Sequence, residues 1–140
     1  MSELAQRAVA CKGWRWMPGM RGHDRGKTFV VISAALDSYT VRFDLPVKQP
    51  RRQRPLDLWR FERSGGPPAL PDLTDPATLG CLLSLVREVW GDPYVYVLSC
   101  APDWFTVCSP DAEGGKWLSH PPIDGPTEAE ALVAALEAAP

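Results

Sequence analysis

The chemistry this chain can offer lies in its arginines and tryptophans. Trp16, Arg21, His23, Arg25 and Arg42 come early, and Arg51, Arg52, Arg54 and Trp59 follow in a proline-rich stretch. A guanidinium pairs with phosphate oxygens through parallel hydrogen bonds, and an indole offers a flat face on which a base can stack. Met20 to Lys27 (Met-Arg-Gly-His-Asp-Arg-Gly-Lys) spaces its charges with glycines, which allow a backbone to approach an anion closely. These nine residues form a candidate set for binding an anionic, nucleotide-like small molecule. The same segment also reads as a merely solvated loop, and the indoles as core.

Catalysis finds less to build on. The two histidines, His23 and His120, sit in turn-like contexts, and neither an HExxH nor a GxSxG pattern occurs. Walker and dinucleotide-binding spacings are missing too. Cys81 becomes a nucleophile only if folding brings a histidine to it. The four cysteines lack paired CxxC spacing, so no metal site, cofactor or catalytic residue is assigned, and a non-catalytic protein is expected.

Charge is divided along the chain. Through Gly65 there are thirteen Lys and Arg against six acids; from Gly66 onward there are two against eleven, for a net charge of -2. The basic part suits an anionic partner. A pI near 5.6 lies far below that of a dedicated nucleic-acid binder, which places direct nucleic-acid binding below small-molecule binding. No apolar run approaches a membrane span and no signal-peptide pattern opens the chain, so a cytoplasmic protein with reduced thiols and no membrane partner is expected.

The elements that must position these residues are legible to different degrees. Asp75 to Gly91 reads as one complete amphipathic helix, with Asp75 as cap, Pro76 at the first position and Gly91 as left-handed stop. Its apolar stripe is Leu79, Leu82, Leu83, Val86, Val89 and Trp90. Ser2 to Cys11 reads as a short first helix, and Thr127 with Glu130 is a capping box opening a last one. Trp14-Arg15-Trp16-Met17 has the alternation of a strand, followed by a turn at Pro18-Gly19. Thr28 to Ser33 and Tyr39 to Asp44 predict a hairpin turned at Asp37-Ser38, with Tyr39, Val41 and Phe43 on one side. Met20 to Lys27 reads as a loop or hairpin tip, and Leu56 to Phe61 as a short or edge strand. Tyr94 to Ser99 and Trp104 to Cys108 predict a second hairpin, and Lys116 to His120 an added edge strand. The whole is expected to be a single α+β domain over 1–140, a mainly antiparallel sheet packed with about three helices as an α/β/α-type sandwich, with an irregular Pro/Arg-rich segment at about 45–72.

Gly13-Trp14-Arg15-Trp16-Met17-Pro18-Gly19-Met20, Leu73-Thr74-Asp75-Pro76-Ala77-Thr78-Leu79-Gly80 and Thr127-Glu128-Ala129-Glu130-Ala131-Leu132 together resemble small phage and prophage proteins of the phage ABA sandwich domain group. The resemblance runs from Leu4 to Ala138, and the stretch from about Lys48 to Pro68 departs from it. It implies a three-layered α/β fold and supplies no catalytic residues. Phage origin implies a binding protein in the host cytoplasm that antagonises host defence by sequestering a nucleotide-like signal. The alternative it admits is an inhibitor of a host defence protein, an acidic nucleic-acid mimic built from Asp72, Asp75, Asp92, Asp103, Asp111, Glu113 and Asp124. A homo-oligomer is compatible with either.

Overall fold

Asp75 and Gly91 bound the helix around which the other elements pack. In the computed structural model, which describes residues 2–35, 38–44, 58–62 (backbone), 69–100, 102–109 and 121–140, helix α2 runs Pro76–Trp90. The Asp75 carboxylate accepts the Thr78 N–H at 2.8 Å, filling one of the vacant donors of the first turn. At the other end Gly91 takes φ +65°, and its N–H reaches the carbonyls of Arg87 and Glu88. The fully buried positions are Thr78, Leu82, Leu85, Val86 and Trp90, with Leu79, Leu83 and Val89 partly buried beside them. Leu85 lies outside the stripe read from the sequence. It is buried because α2 is packed on more than one side, including by the last helix.

That helix, α3 (Glu128–Glu137), opens as expected: the Thr127 hydroxyl accepts the Glu130 N–H at 3.1 Å and bonds the Glu130 carboxylate at 3.0 Å. Its small residues Ala129, Ala131 and Ala135 are buried with Leu132, Val133 and Leu136, and Trp90 Nε1 donates to the Ala135 carbonyl at 2.9 Å. The first helix, α1 (Ser2–Ala10), buries Ala5 and Ala8 and packs against α3, where Arg7 meets Glu137 at 2.7 Å.

The strands divide between two antiparallel sheets, giving an α+β fold. Strands β1 (Arg21–Asp24), β2 (Lys27–Ala34), β3 (Ser38–Phe43), β4 (Leu58–Glu62) and β5 (Leu70–Pro71) form the first, in the order β4-β3-β2-β1-β5. Strands β6 (Tyr96–Cys100), β7 (Trp104–Cys108) and β8 (Ile123–Gly125) form the second, in that order. Phe29, Val31, Tyr39 and Val41 on the first sheet and Val107 on the second join the three helices in one buried cluster. Helix α2 ties the two sheets together. Near its start the Thr78 hydroxyl accepts the Arg21 N–H at 2.8 Å, and near its end Arg87 Nε donates to the Val95 carbonyl at 2.8 Å.

Several sequence expectations are adjusted. Residues 14–17 form no strand, because Trp14 N–H turns back to the Cys11 carbonyl at 3.0 Å instead of entering a ladder. Their alternation survives without one: Trp14 is buried, Arg15 exposed and Trp16 half-buried. Met20 to Lys27 is mostly hairpin, with β1 and β2 turned at Arg25 and Gly26, whose φ values of 48° and 79° suit a type I′ connection. The edge strand predicted near Leu56 to Phe61 is β4, at the margin of the first sheet. The turn at Asp37 and the strand predicted over Lys116 to His120 lie outside the described residues, and β8 supplies the third strand of the second sheet. Among the described residues no helix is long and apolar enough to cross a membrane.

Candidate ligand-binding site

Trp16 is brought to its place by the segment leaving α1. Gly13 lets that segment pass close over Val89 of α2, a spot where a Cβ would collide with the valine side chain. Arg15 then pairs with Glu88 of the same helix. Beyond Trp16 the Pro18-Gly19 turn is fixed to the first sheet, the Gly19 N–H donating to the Val31 carbonyl and the Val31 N–H to Met20, both at 2.9 Å. Between these two anchors the indole is held by other rings. It meets Trp14 edge-on at 5.6 Å, Phe29 at 5.4 Å and Tyr39 nearly parallel at 5.2 Å. It also lies over Gly22, where an added Cβ would stand 2.8 Å from the indole and 2.6 Å from Phe29.

The result is an open cleft of about 410 Å³ lined by Arg15, Trp16, Met17, Pro18, Ala34, Ala35, Ser38 and Tyr39. Its size falls within the range of small-molecule sites, and its lining is mainly apolar, with polar groups on Arg15, Ser38 and Tyr39. Burial, aided by the negative charge of Asp24, pushes the Tyr39 phenol up to about 12, so it remains a neutral hydroxyl at physiological pH. The Arg15 guanidinium is about half exposed, 46% by side chain, and exchanges its carboxylate partner for another anion at modest cost.

Among the described residues, those predicted for the site do not converge. Trp16 lines the cleft, on the face of the first sheet that carries Phe29 and Tyr39. Arg21, His23 and Arg42 stand on the other face, in the register rows Arg21–Val30–Arg42 and His23–Thr28. The sheet itself separates the two groups. Arg21 is also engaged by two carboxylates, Asp44 at 3.1 Å and Asp75 at 3.6 Å. His23 bonds Thr28 at 3.3 Å and lies 3.8 Å from Asp72. Arg25 occupies the hairpin tip, and Arg42 is exposed with no ion pair among the described residues. Arg51, Arg52 and Arg54 lie outside the described residues, and Trp59 is placed only by its ladder position opposite Val41.

The acidic residues of the alternative reading occupy several places. Asp72 and Asp75 face His23 and Arg21; Asp92 accepts from Ser109 and the Tyr94 N–H; Asp103 is in the β6–β7 turn; Asp124 bonds Thr106 at 2.6 Å on the second sheet. Asp111 and Glu113 lie outside the described residues. Cys81 donates toward the Pro18 carbonyl at 3.7 Å, and burial, with the charge of Asp75, raises its thiol above the ordinary value. A second cleft of about 580 Å³ lies beside Arg7, Cys11, Lys12 and Glu137. Neither His23 nor Cys81 lines either cleft, and His120 lies outside the described residues. Among the described residues no three His, Cys, Asp or Glu side chains gather as metal ligands.

Sequence reasoning passed over Arg15, Tyr39 and Ser38. Arg15 had a signal, since it sits between two tryptophans and is aimed away from them. Tyr39 had one too, in its shared face with Val41 and Phe43. No protein family, curated protein or solved structure matches this chain. The fold and site therefore define it only as an α+β protein with an aromatic cleft beside a surface cation.

Proposed function

We propose that the protein is a non-catalytic binder of an anionic, nucleotide-like small molecule, held in the cleft beside Trp16 and Tyr39. The observation that carries this reading is half-buried Trp16, stacked on the buried Tyr39 ring, which forms an apolar wall of an open cleft that Arg15 also lines. A planar base packs on such a wall, and a phosphate takes the guanidinium from Glu88. The anion contact thus falls to Arg15, which lines the cleft, in place of Arg21, which stands on the other face of the sheet. The resemblance to phage proteins supports the role: sequestering a host defence signal of this chemistry in the host cytoplasm.

Thermal shift and calorimetry against cyclic oligonucleotides and ADP-ribose, with the unphosphorylated nucleosides as controls, test the reading. A ligand present at 100 times its Kd stabilises the fold by about 2.7 kcal/mol, well within reach of a melting measurement. The expected result is stabilisation by a phosphorylated compound, reduced in Arg15→Gln. No shift with any of them at about 1 mM, a hundredfold above a 10 μM Kd, overturns it.

A further inference from the structure

The second sheet presents an apolar face that the cleft does not use. Register places Tyr96, Leu98 and Cys100 of β6 on one side with Trp104, Thr106 and Cys108 of β7 and Asp124 of β8. The opposite side carries Val97, Phe105, Val107 and Ile123 into the core. On the outward side Leu98 is 47% exposed, Trp104 45% and Tyr96 38%, and Tyr94, just before β6, is 71% exposed. Side chains directly opposite or diagonal across an antiparallel ladder lie within reach of one another, so Tyr96, Leu98 and Trp104 form one patch, with Cys108 buried at its end and Tyr94 exposed in the turn before it.

We propose that this face is a dimer interface, covered by the same face of a second copy of the chain. Area supports the assignment. At about 150–250 Å² for a whole aromatic side chain, the exposed parts of Tyr96 and Trp104 amount to roughly 170 Å², and Leu98 adds to it. A standard interface removes about 800 Å² per partner, of which a little over half is apolar. The patch supplies a core for that apolar share from three side chains, with Tyr94 exposed in the turn beside it.

Charge supports a second copy as the occupant. No Lys, Arg, Asp or Glu occurs from Pro93 to Cys100, so no like charges on β6 oppose one another when β6 of one copy lies over β6 of the other. Among the described residues the face holds one carboxylate, Asp124, on the marginal strand β8, where the Thr106 hydroxyl already holds it. A two-fold axis in the plane of the interface and across the strands lays β6 over β6 and β8 over β8. That arrangement joins the apolar residues at the centre and leaves both Asp124 carboxylates at the wet rim. Like charges then meet only where water screens them.

Sedimentation equilibrium of the full chain, from about 1 to 500 μM, spans the Kd range of most weak and moderate dimers and tests the proposal. The expected result is a monomer–dimer equilibrium whose Kd rises at least tenfold in Leu98→Glu and in Tyr94→Glu. Tyr94 precedes the strand and is mostly exposed, so its substitution leaves folding intact if Leu98→Glu does not. Ile32→Glu, an exposed residue of the first sheet, should leave the equilibrium unchanged. A chain that stays monomeric throughout, including one that associates only with some other protein, overturns the proposal. So does a dimer indifferent to both substitutions. Neither result bears on the Trp16 cleft, whose test reads ligand binding.

Discussion

Trp16 lies on Tyr39 with ring centroids 5.2 Å apart and planes 25° from parallel. Twenty-three positions apart in sequence, the two rings stack on each other, and burial there makes the phenol still harder to ionise. The Tyr39 pKa is raised in the folded state to about 12, against an ordinary value of 10.0. The folded chain therefore holds this proton more tightly than the unfolded chain. The resulting stability is fully present below pH 10 and is lost as pH rises through about 12. Alkaline denaturation should show that loss, and Tyr39→Phe should remove its part of the slope. Ultraviolet titration of the phenolates provides the direct measurement.

Removing the indole should separate stacking from charge. Trp16→Leu keeps an apolar side chain in the cluster but loses the flat face, and base stacking contributes about 1–3 kcal/mol. Affinity for a phosphorylated ligand should fall roughly tenfold to a hundredfold in calorimetry. Glu88→Gln should act the other way, freeing Arg15 and tightening binding severalfold, while moving stability by less than about 1 kcal/mol because the pair is exposed.

Gly22 supports the same wall from beneath. A Cβ there would stand 2.6 Å from Phe29, 2.8 Å from Trp16 and 2.9 Å from the Leu70 carbonyl oxygen, and the last cannot swing aside. Overpacking of this kind costs about 1–3 kcal/mol. Gly22→Ala should lower the urea midpoint and displace Trp16, whereas Gly80→Ala, with open space around it, should stabilise α2 by about 1 kcal/mol.

The cap of α2 is a fourth point of test. Asp75 accepts from both the Thr78 N–H and hydroxyl and lies 3.6 Å from Arg21. Asp75→Ala should cost about 1–2 kcal/mol in urea denaturation, near the upper end for a helix cap because Thr78 is left buried with one acceptor fewer. Asp75→Asn should recover part of that loss.

These outcomes bear on how much was legible in the sequence. The limits of α2 and α3 were readable because Asp75, Pro76, Gly91, Thr127 and Glu130 act within a turn of their own backbone. The β2–β3 hairpin was readable because alternation at Tyr39, Val41 and Phe43 is a local pattern. Trp14 and Trp16 read as strand residues, since the same alternation arises when a chain without a ladder turns every second residue inward. The site was less legible still. A run of arginines does not reveal that Asp44 and Asp75 neutralise Arg21, nor that strand parity puts Arg42 across a sheet from Trp16. Both depend on pairings distant in sequence.

Helix α2 is hydrogen-bonded near its start to Arg21 and near its end to Val95, and among the described residues no strand belongs to both sheets. Helix α3 packs on the second sheet and on α1, which packs on β5 of the first, so the two sheets share their helices and α2 adds one hydrogen bond toward each. Thr78→Val or Arg87→Met would therefore release one end of α2 while the other anchor stays in place.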